Sequence, residues 1–378
     1  MKNGVDRVKI AIIENYAPAI ATSRKDLISA LRQHAEVIVF TPYEDEKTTQ
    51  RIIALGVEYQ TFSLSLRGAN PLSDLKTKRE LILLLKKYTP DIVICYTIKP
   101  IIWGSIAAYT AGVKKIYAVI NGLGYVFTGV HNLKSKLIQK IVIRLYKNAL
   151  SHNDTIFFQN PDDQKLLNDM KIVPNNKKTI VVNGSGVDLE YYAFSKPSVT
   201  PVRFLMIARL LKDKGIIEYV NAAKEIRREY PNTEFHLVGF IDSNPSAISR
   251  DLLEEWIDQK LIIFHGKCED VRPIIRLASV YVLPSYREGT PRSVLEAMSM
   301  GRPIITTDAP GCRETVKDDH NGYLVPIKNV DMLVDAMKKF IHRPELVEAM
   351  GLKSREIAEM KYNVNTVNRT MLEGMGIV

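Results

Sequence analysis

Short apolar runs separated by amphipathic stretches recur along the whole chain, and this alternation restricts the fold more than any other feature. A strand is expected at the mixed run 58–62 (EYQTF), and the runs at 8–13 (VKIAII), 36–40, 91–95, 115–120, 155–159 and 179–183 are apolar at nearly every position. That is the pattern of strands buried on both faces. Helical patterns such as 75–88 (LKTKRELILLLKKY) fill the intervals, so each strand is expected to reach the next through a crossover helix, giving a parallel sheet. The pattern breaks at 194–202 (FSKPSVTPV), where two prolines and small polar residues suit a linker. It then restarts with runs at 203–208, 234–239, 261–266, 279–284, 303–307 and 322–326. The fold expected is α/β, with two doubly wound Rossmann-like domains facing a central cleft and ligands beyond the carboxyl ends of the strands. The boundaries expected are 1–193 and 194–360, with 361–378 as a terminal helical segment.

A length of 378 residues exceeds what one ordinary core supports, in keeping with two domains. No apolar run approaches the ~20 residues of a membrane span. Residues 1–13 carry charges and then read as a strand, not as a signal peptide. Cys95, Cys268 and Cys312 are widely spaced and form no CxxC pair, which argues for a reducing cytosol and against disulfides or zinc.

The net charge of +10 implies acidic partners. Between 130 and 153 there is no acidic residue. At roughly 100° per residue, Lys136, Lys140, Arg144 and Lys147 share an arc of about 80°, with Ile138, Ile141 and Leu145 expected on the opposite side. A stripe of one sign suits the inner leaflet of a plasma membrane or a pyrophosphate-bearing lipid, and the expectation is a cytoplasmic protein held peripherally there. Neither an aromatic–basic interleave nor a recognition module is present, so no nucleic-acid partner is expected.

Residues 284–302 (PSYREGTPRSVLEAMSMGR) carry the chemistry. Gly289 gives a turn its freedom, Thr290 is placed to cap a helix, and Pro291 suits a first helical position. The amides of Arg292, Ser293 and Val294 are then expected to point outward at the positive end of a helix dipole, a ready anion site. Glu288 and Glu296 flank it. Carboxylates beside a phosphate-ready helix start fit a ligand with both phosphates and hydroxyls, as a sugar nucleotide has. An Arg fork and a Lys point charge, Arg209 and Lys214 after the run 203–208, make a natural pair for a diphosphate. Gly239, after the run EFHLV, would let backbone approach a ligand.

The 284–302 stretch resembles the E-x7-E motif of retaining glycosyltransferases of the GT-B fold, in the large family four. Arg209 and Lys214 precede it in that family's order, and the resemblance implies that they bind donor diphosphate and stabilise the departing nucleoside diphosphate. It implies nucleobase contacts from the loop bearing Lys267 and Cys268, and a sugar-hydroxyl and electrostatic role for Glu288 with no protein nucleophile. It also implies retained anomeric configuration, and a last helix, 361–378, returning to the first domain. No DxD pair stands in a metal-like context, so no metal or other cofactor is expected. The loop NGLGYVFTG and the segment TIKPIIWGSIAA resemble a subgroup acting on polyprenyl-diphosphate-linked sugars, notably bacterial N-acetylgalactosaminyl- and galactosyltransferases of surface-glycan assembly. That subgroup favours a UDP-sugar donor and places Asn121, Gly122, Leu123 and Gly124 near the acceptor. Many family members carry a donor-sugar His near here; His131 stands too far along to take that role. Lys99 is offered to an acceptor pyrophosphate. Arg24, after a cap at Thr22 or Ser23, is offered to an acidic acceptor. A sugar-nucleotide epimerase on the same fold, needing no acceptor, stands as the alternative.

Overall fold

A computed structural model describes residues 7–65, 71–123, 133–242 and 244–378. Gly124 and His131 lie outside them. The chain divides into two compact units, one running to Ser185 and completed by Val367–Val378, the other Gly186–Thr366.

In the first unit, strands β1 (Lys9–Ile13), β2 (Glu36–Thr41), β3 (Glu58–Thr61), β4 (Ile92–Tyr96), β5 (Lys115–Ile120), β6 (Thr155–Phe158) and β7 (Lys178–Val181) are all parallel. Their order is β3-β2-β1-β4-β5-β6-β7. Alternate residues feed opposite cores. Ile10 and Ile12 join one with Leu27, Ile28 and Leu31 of α2 (Lys25–Arg32). Ala11 and Ile13 join the other, under α4 (Pro71–Tyr88), α5 (Ile98–Ala111) and α6 (Leu133–Ser151). The short helices α1 (Ala17–Ile20), α3 (Glu46–Ile53) and α7 (Pro161–Asp169) complete this part. The chain moves outward in one direction through β2 and β3 and in the other through β5 to β7. Its switch point therefore lies between β1 and β4, where a crevice opens at the carboxyl edge.

The second unit repeats the plan. Strands β8 (Arg203–Ile207), β9 (Glu234–Val238), β10 (Ile263–Phe264), β11 (Val280–Leu283), β12 (Ile304–Thr307) and β13 (Gly322–Val325) are parallel, in the order β10-β9-β8-β11-β12-β13. Helices α8 (Ile216–Glu229), α9 (Arg250–Asp258), α10 (Arg272–Leu277), α11 (Arg292–Ser299), α12 (Val330–His342) and α13 (Glu345–Lys361) belong with this sheet. Its switch point lies between β8 and β11. The loops after those two strands carry Arg209, Lys214, Glu288 and the start of α11.

Segment 194–202 is not a linker. The division falls earlier, between Ser185 and Gly186, and the proline-bearing stretch belongs to the second unit. There Ser195 accepts from Arg302 at its carbonyl (2.6 Å) and hydroxyl (2.8 Å), and the Ser198 carbonyl accepts from Ser279 Oγ at 2.6 Å. Val187 bridges to Asn363. The last helix, α14 (Val364–Met375), leaves the second unit and sends Met371, Leu372 and Met375 into a core of the first, where Tyr117 Oη donates to the Met375 carbonyl at 2.7 Å.

Candidate active site

The loops at the second switch point are tied together before any ligand is considered. Lys214 does not sit inside a long helix; it ends a 3₁₀ turn, Lys212–Lys214. Gly215 follows in the left-handed region at φ +75°, and a Cβ there would meet the Pro284 carbonyl oxygen at 2.2 Å. Only glycine allows this approach. It brings the turn against the loop after β11, where the Tyr286 amide donates to the Asp213 carbonyl at 2.9 Å. Lys214 Nζ then reaches Glu288 Oε1 at 2.6 Å, and Ser285 Oγ donates to the same oxygen at 2.8 Å. Both side chains of the ion pair are mostly buried. Lys214, expected at phosphate, and Glu288, expected at sugar, are thus bonded partners.

The start of α11 also differs in detail. Pro291 is the cap residue, with φ −72° and ψ 110°, and the helix begins at Arg292. Thr290 does not cap it, since its hydroxyl donates to the Gly289 carbonyl at 3.0 Å. The Val294 amide is spent on the Pro291 carbonyl at 3.1 Å. That leaves Arg292 and Ser293, at the first two helical positions, whose amides have no carbonyl to bond within the helix. The hydroxyls of Ser293 and buried Tyr281 lie 2.6 Å apart and both approach the Ile207 carbonyl, at 3.2 and 3.1 Å. This joins the helix mouth to the end of β8.

Glu296 is buried rather than turned to solvent. Its Oε1 accepts from Tyr192 Oη at 2.9 Å and from Arg292 Nε at 2.9 Å. Burial, then the Glu296 carboxylate, pushes the Tyr192 phenol well above its ordinary value, so it remains a donor. Tyr192→Phe removes one orienting bond. The expected outcome is a loss of about 1.5–3 kcal/mol of stability, read as a lower Tm, as for one buried hydrogen bond to a charged group.

Arg209, two residues past β8, is half exposed and pairs with Asp242 at 3.1 Å. An exposed pair of this kind is weak, so a phosphate can take the guanidinium from Asp242. At Gly239 a Cβ would lie 2.1 Å from the Ala208 carbonyl oxygen, and its amide donates to the Gly266 carbonyl at 2.9 Å. The loops after β8, β9 and β10 thus touch. Lys267 holds its ammonium 5.4 Å from the Phe240 ring centroid, and Cys268 Sγ lies 3.6 Å from the His265 carbonyl. His265 Nε2 lies 2.9 Å from His236 Nδ1, and burial pushes both imidazoles below their ordinary range, favouring the neutral form.

The first-unit candidates are more engaged than the sequence implied. Thr22 and Ser23 do not cap α2; their hydroxyls donate back to the Pro18 (2.9 Å) and Ala19 (3.3 Å) carbonyls. Arg24 turns inward. It is buried, 3.3 Å from Glu14, donates to Ser185 Oγ at 3.0 Å and stacks 4.1 Å above the Tyr96 ring. Burial raises the Glu14 carboxyl despite the guanidinium. Lys99 donates to the Ser65 carbonyl at 2.6 Å and pairs with Asp74 at 3.1 Å. Asn121 and Gly122 follow β5, with Gly122 at φ +129°, while Leu123 is buried.

On α6, Lys136, Lys140, Arg144 and Lys147 are exposed, as the stripe required. Ile138 and Ile141, expected on the opposite side, are exposed too. The helix docks instead through Tyr146, Ala149 and Leu150, with Leu145 partly buried beside them.

Tyr192, Tyr281, Phe240, Asp242 and Glu14 were missed. Nothing in their spacing marks them, because each meets its partner from a different loop or element; Tyr192 does so across 104 positions.

Residues 191–357 match the family model described as "Glycosyl transferases group 1", and residues 9–160 match the one described as "Glycosyl transferase 4-like". The chain is a glycosyltransferase of the GT-B type. Among its relatives is the Campylobacter jejuni N,N'-diacetylbacillosaminyl-diphospho-undecaprenol alpha-1,3-N-acetylgalactosaminyltransferase, 26% identical over 97% of this chain and 98% of its own. The Escherichia coli UDP-Gal:alpha-D-GlcNAc-diphosphoundecaprenol alpha-1,3-galactosyltransferase is 27% identical over 72% of this chain and 71% of its own. The fold of this glycosyltransferase is shared by sucrose-phosphate synthase from Thermosynechococcus elongatus, at a TM-score of 0.79 and 18% identity over 97% of this chain and 98% of that one. Anabaena HepE, solved with UDP-glucose, aligns at a TM-score of 0.77 and 17% identity over 98% of this chain and 100% of that one.

Proposed function

We propose that this glycosyltransferase moves a hexose or N-acetylhexosamine, with GalNAc favoured, from a UDP-sugar to a polyprenyl-diphosphate-linked saccharide. The setting would be bacterial O-antigen, capsule or glycoprotein glycan assembly. The Lys214–Glu288 pair beside the mouth of α11, at the switch point of the second sheet, is the observation that carries the reading. The activities named for the two relatives support the acceptor class and a Gal or GalNAc donor.

In this reading the amides of Arg292 and Ser293 and the side chains of Arg209 and Lys214 take the donor diphosphate. They gain most as the glycosidic bond breaks and charge collects on the leaving group. Gly289, Thr290 and Pro291 shape the turn, Val294 packs beneath it, and Glu296 accepts from ribose. Gly239 and the backbone at Lys267 and Cys268 border the base. Glu288 holds a sugar hydroxyl. The acceptor attacks from the face the diphosphate leaves, a donor phosphate oxygen takes its proton, and configuration is retained without a metal. Among the described residues no helix is long and apolar enough to cross a membrane. The exposed cations of α6 instead suit peripheral contact with the inner face of the plasma membrane.

Thermal-shift titration with UDP and GDP tests the donor site. UDP at about a hundred times its Kd should add about 2.7 kcal/mol to the stability of its unit, with a UDP-N-acetylhexosamine doing the same. Equal stabilisation by GDP removes the base assignment. Transfer to a synthetic polyprenyl-diphosphate monosaccharide tests the reaction; epimer formation from UDP-sugar alone, without acceptor, would replace it.

A further inference from the structure

We propose that α4 and α6 together form the surface of the first unit that lies against an anionic lipid bilayer, with aliphatic side chains entering the headgroup region between cations. This rests on the membrane contact proposed for α6 and extends it to a helix with no part in that reading.

Helices α4, α5 and α6 cover the same core, and α5 packs against both of the others. Helix α4 has its own buried stripe in Thr77, Leu81 and Leu85. Yet Leu72 is 81% exposed, Leu83 67% and Leu75 43%. Arg79, Lys86 and Lys87 are exposed among them. At roughly 100° per residue, Leu72, Arg79, Leu83 and Lys86 fall within an arc of about 60°.

Acids are kept off this arc. Asp74 points inward to Lys99. Glu80 lies at the flank, where it accepts from the Ser63 amide at 2.6 Å and pairs with Lys76 at 3.7 Å. Helix α6 repeats the composition: Leu137 is 61% and Ile141 51% exposed beside Lys140 and Arg144, and the helix contains no acid.

Single exposed aliphatics are ordinary. Two helices that flank a common neighbour and both interleave aliphatics with unopposed cations are suited to one kind of partner. Anionic headgroups answer the cations, and the acyl boundary accepts the leucines. A second copy of this chain would bring like charge against like. A nucleic acid would answer the charges and leave the leucines without a role.

Co-sedimentation of the full chain with phosphatidylcholine vesicles, with and without phosphatidylglycerol, tests this. The wild type should bind the phosphatidylglycerol vesicles. The triple variant Arg79→Gln, Lys86→Gln, Lys87→Gln should bind roughly a hundredfold more weakly, at about fivefold per charge. Leu72→Ser with Leu83→Ser should cost at least about tenfold with every cation in place. All these positions are exposed, so Tm should stay at the wild-type value, which separates lost binding from lost folding. If both α4 variants bind as wild type while Lys140→Gln with Arg144→Gln does not, α4 is off the surface and only the α6 reading stands. Loss on charge removal with no effect of leucine removal overturns insertion and leaves attraction to polyanions alone. Failure of the wild type to bind any vesicle overturns both readings.

Discussion

Glu288→Gln should slow sugar transfer by roughly 10²–10³-fold while leaving UDP affinity within about threefold of wild type. The substitution keeps the side chain's shape and removes its charge. Lys214 Nζ, 2.6 Å from the carboxylate, is then relieved of its counter-ion and remains free to attract the diphosphate, so nucleotide binding is held. On the proposed function, what is lost is a negative group beside the sugar as positive charge develops at the anomeric carbon. Lys214→Met should act in the other sense, lowering both UDP affinity and turnover, because the mostly buried Glu288 is left repelling the phosphates. Steady-state kinetics paired with UDP titration separates the two. Loss of UDP binding in Glu288→Gln would remove the catalytic role and leave a structural one.

Arg302→Met should cost the second unit about 3–5 kcal/mol, read as a lower midpoint in urea or heat. Arg302 is fully buried. Its guanidinium donates to the carbonyls of Ile275 (2.8 Å), Ser195 (2.6 Å), Met300 (3.0 Å) and Arg276 (3.1 Å), and to Ser195 Oγ (2.8 Å). Burial, with Arg276 nearby, pushes its pKa down to about 10, which still leaves it charged at neutral pH. Methionine fills similar volume and supplies no donor, stranding carbonyls at about 1–3 kcal/mol each before relaxation. Arg302→Lys should recover part of the loss, having three donors on a shorter reach. A midpoint unchanged in the methionine variant would mean that water replaces the guanidinium.

The parallel sheets were legible because strands covered on both faces must be apolar at nearly every position, and that signal is local. The boundary was not. Prolines and serines at 194–202 read as a tether, yet Arg302, a hundred residues further on, holds Ser195 in the second unit. The candidate site divides the same way. Glu288, Glu296 and the helix mouth sit within one short motif and could be found from spacing. Tyr192 reaches Glu296 across 104 positions, and nothing around it announces this. Arg24 shows the converse failure. A cation at a helix start looks available, yet Arg24 is buried against Glu14.

The shared last helix sets an order on biosynthesis. Met371, Leu372 and Met375 belong to the interior of the first unit, yet they are made after nearly the whole of the second. Everything from Gly186 to Thr366 is translated in between, roughly 180 residues or about 10–40 s at common elongation rates. Throughout that interval the first sheet waits with one face short of its final apolar cover, while the second unit has all of its own residues before that cover is made. The nascent chain's exposure to chaperones or misassembly therefore concentrates in the first unit, not the second.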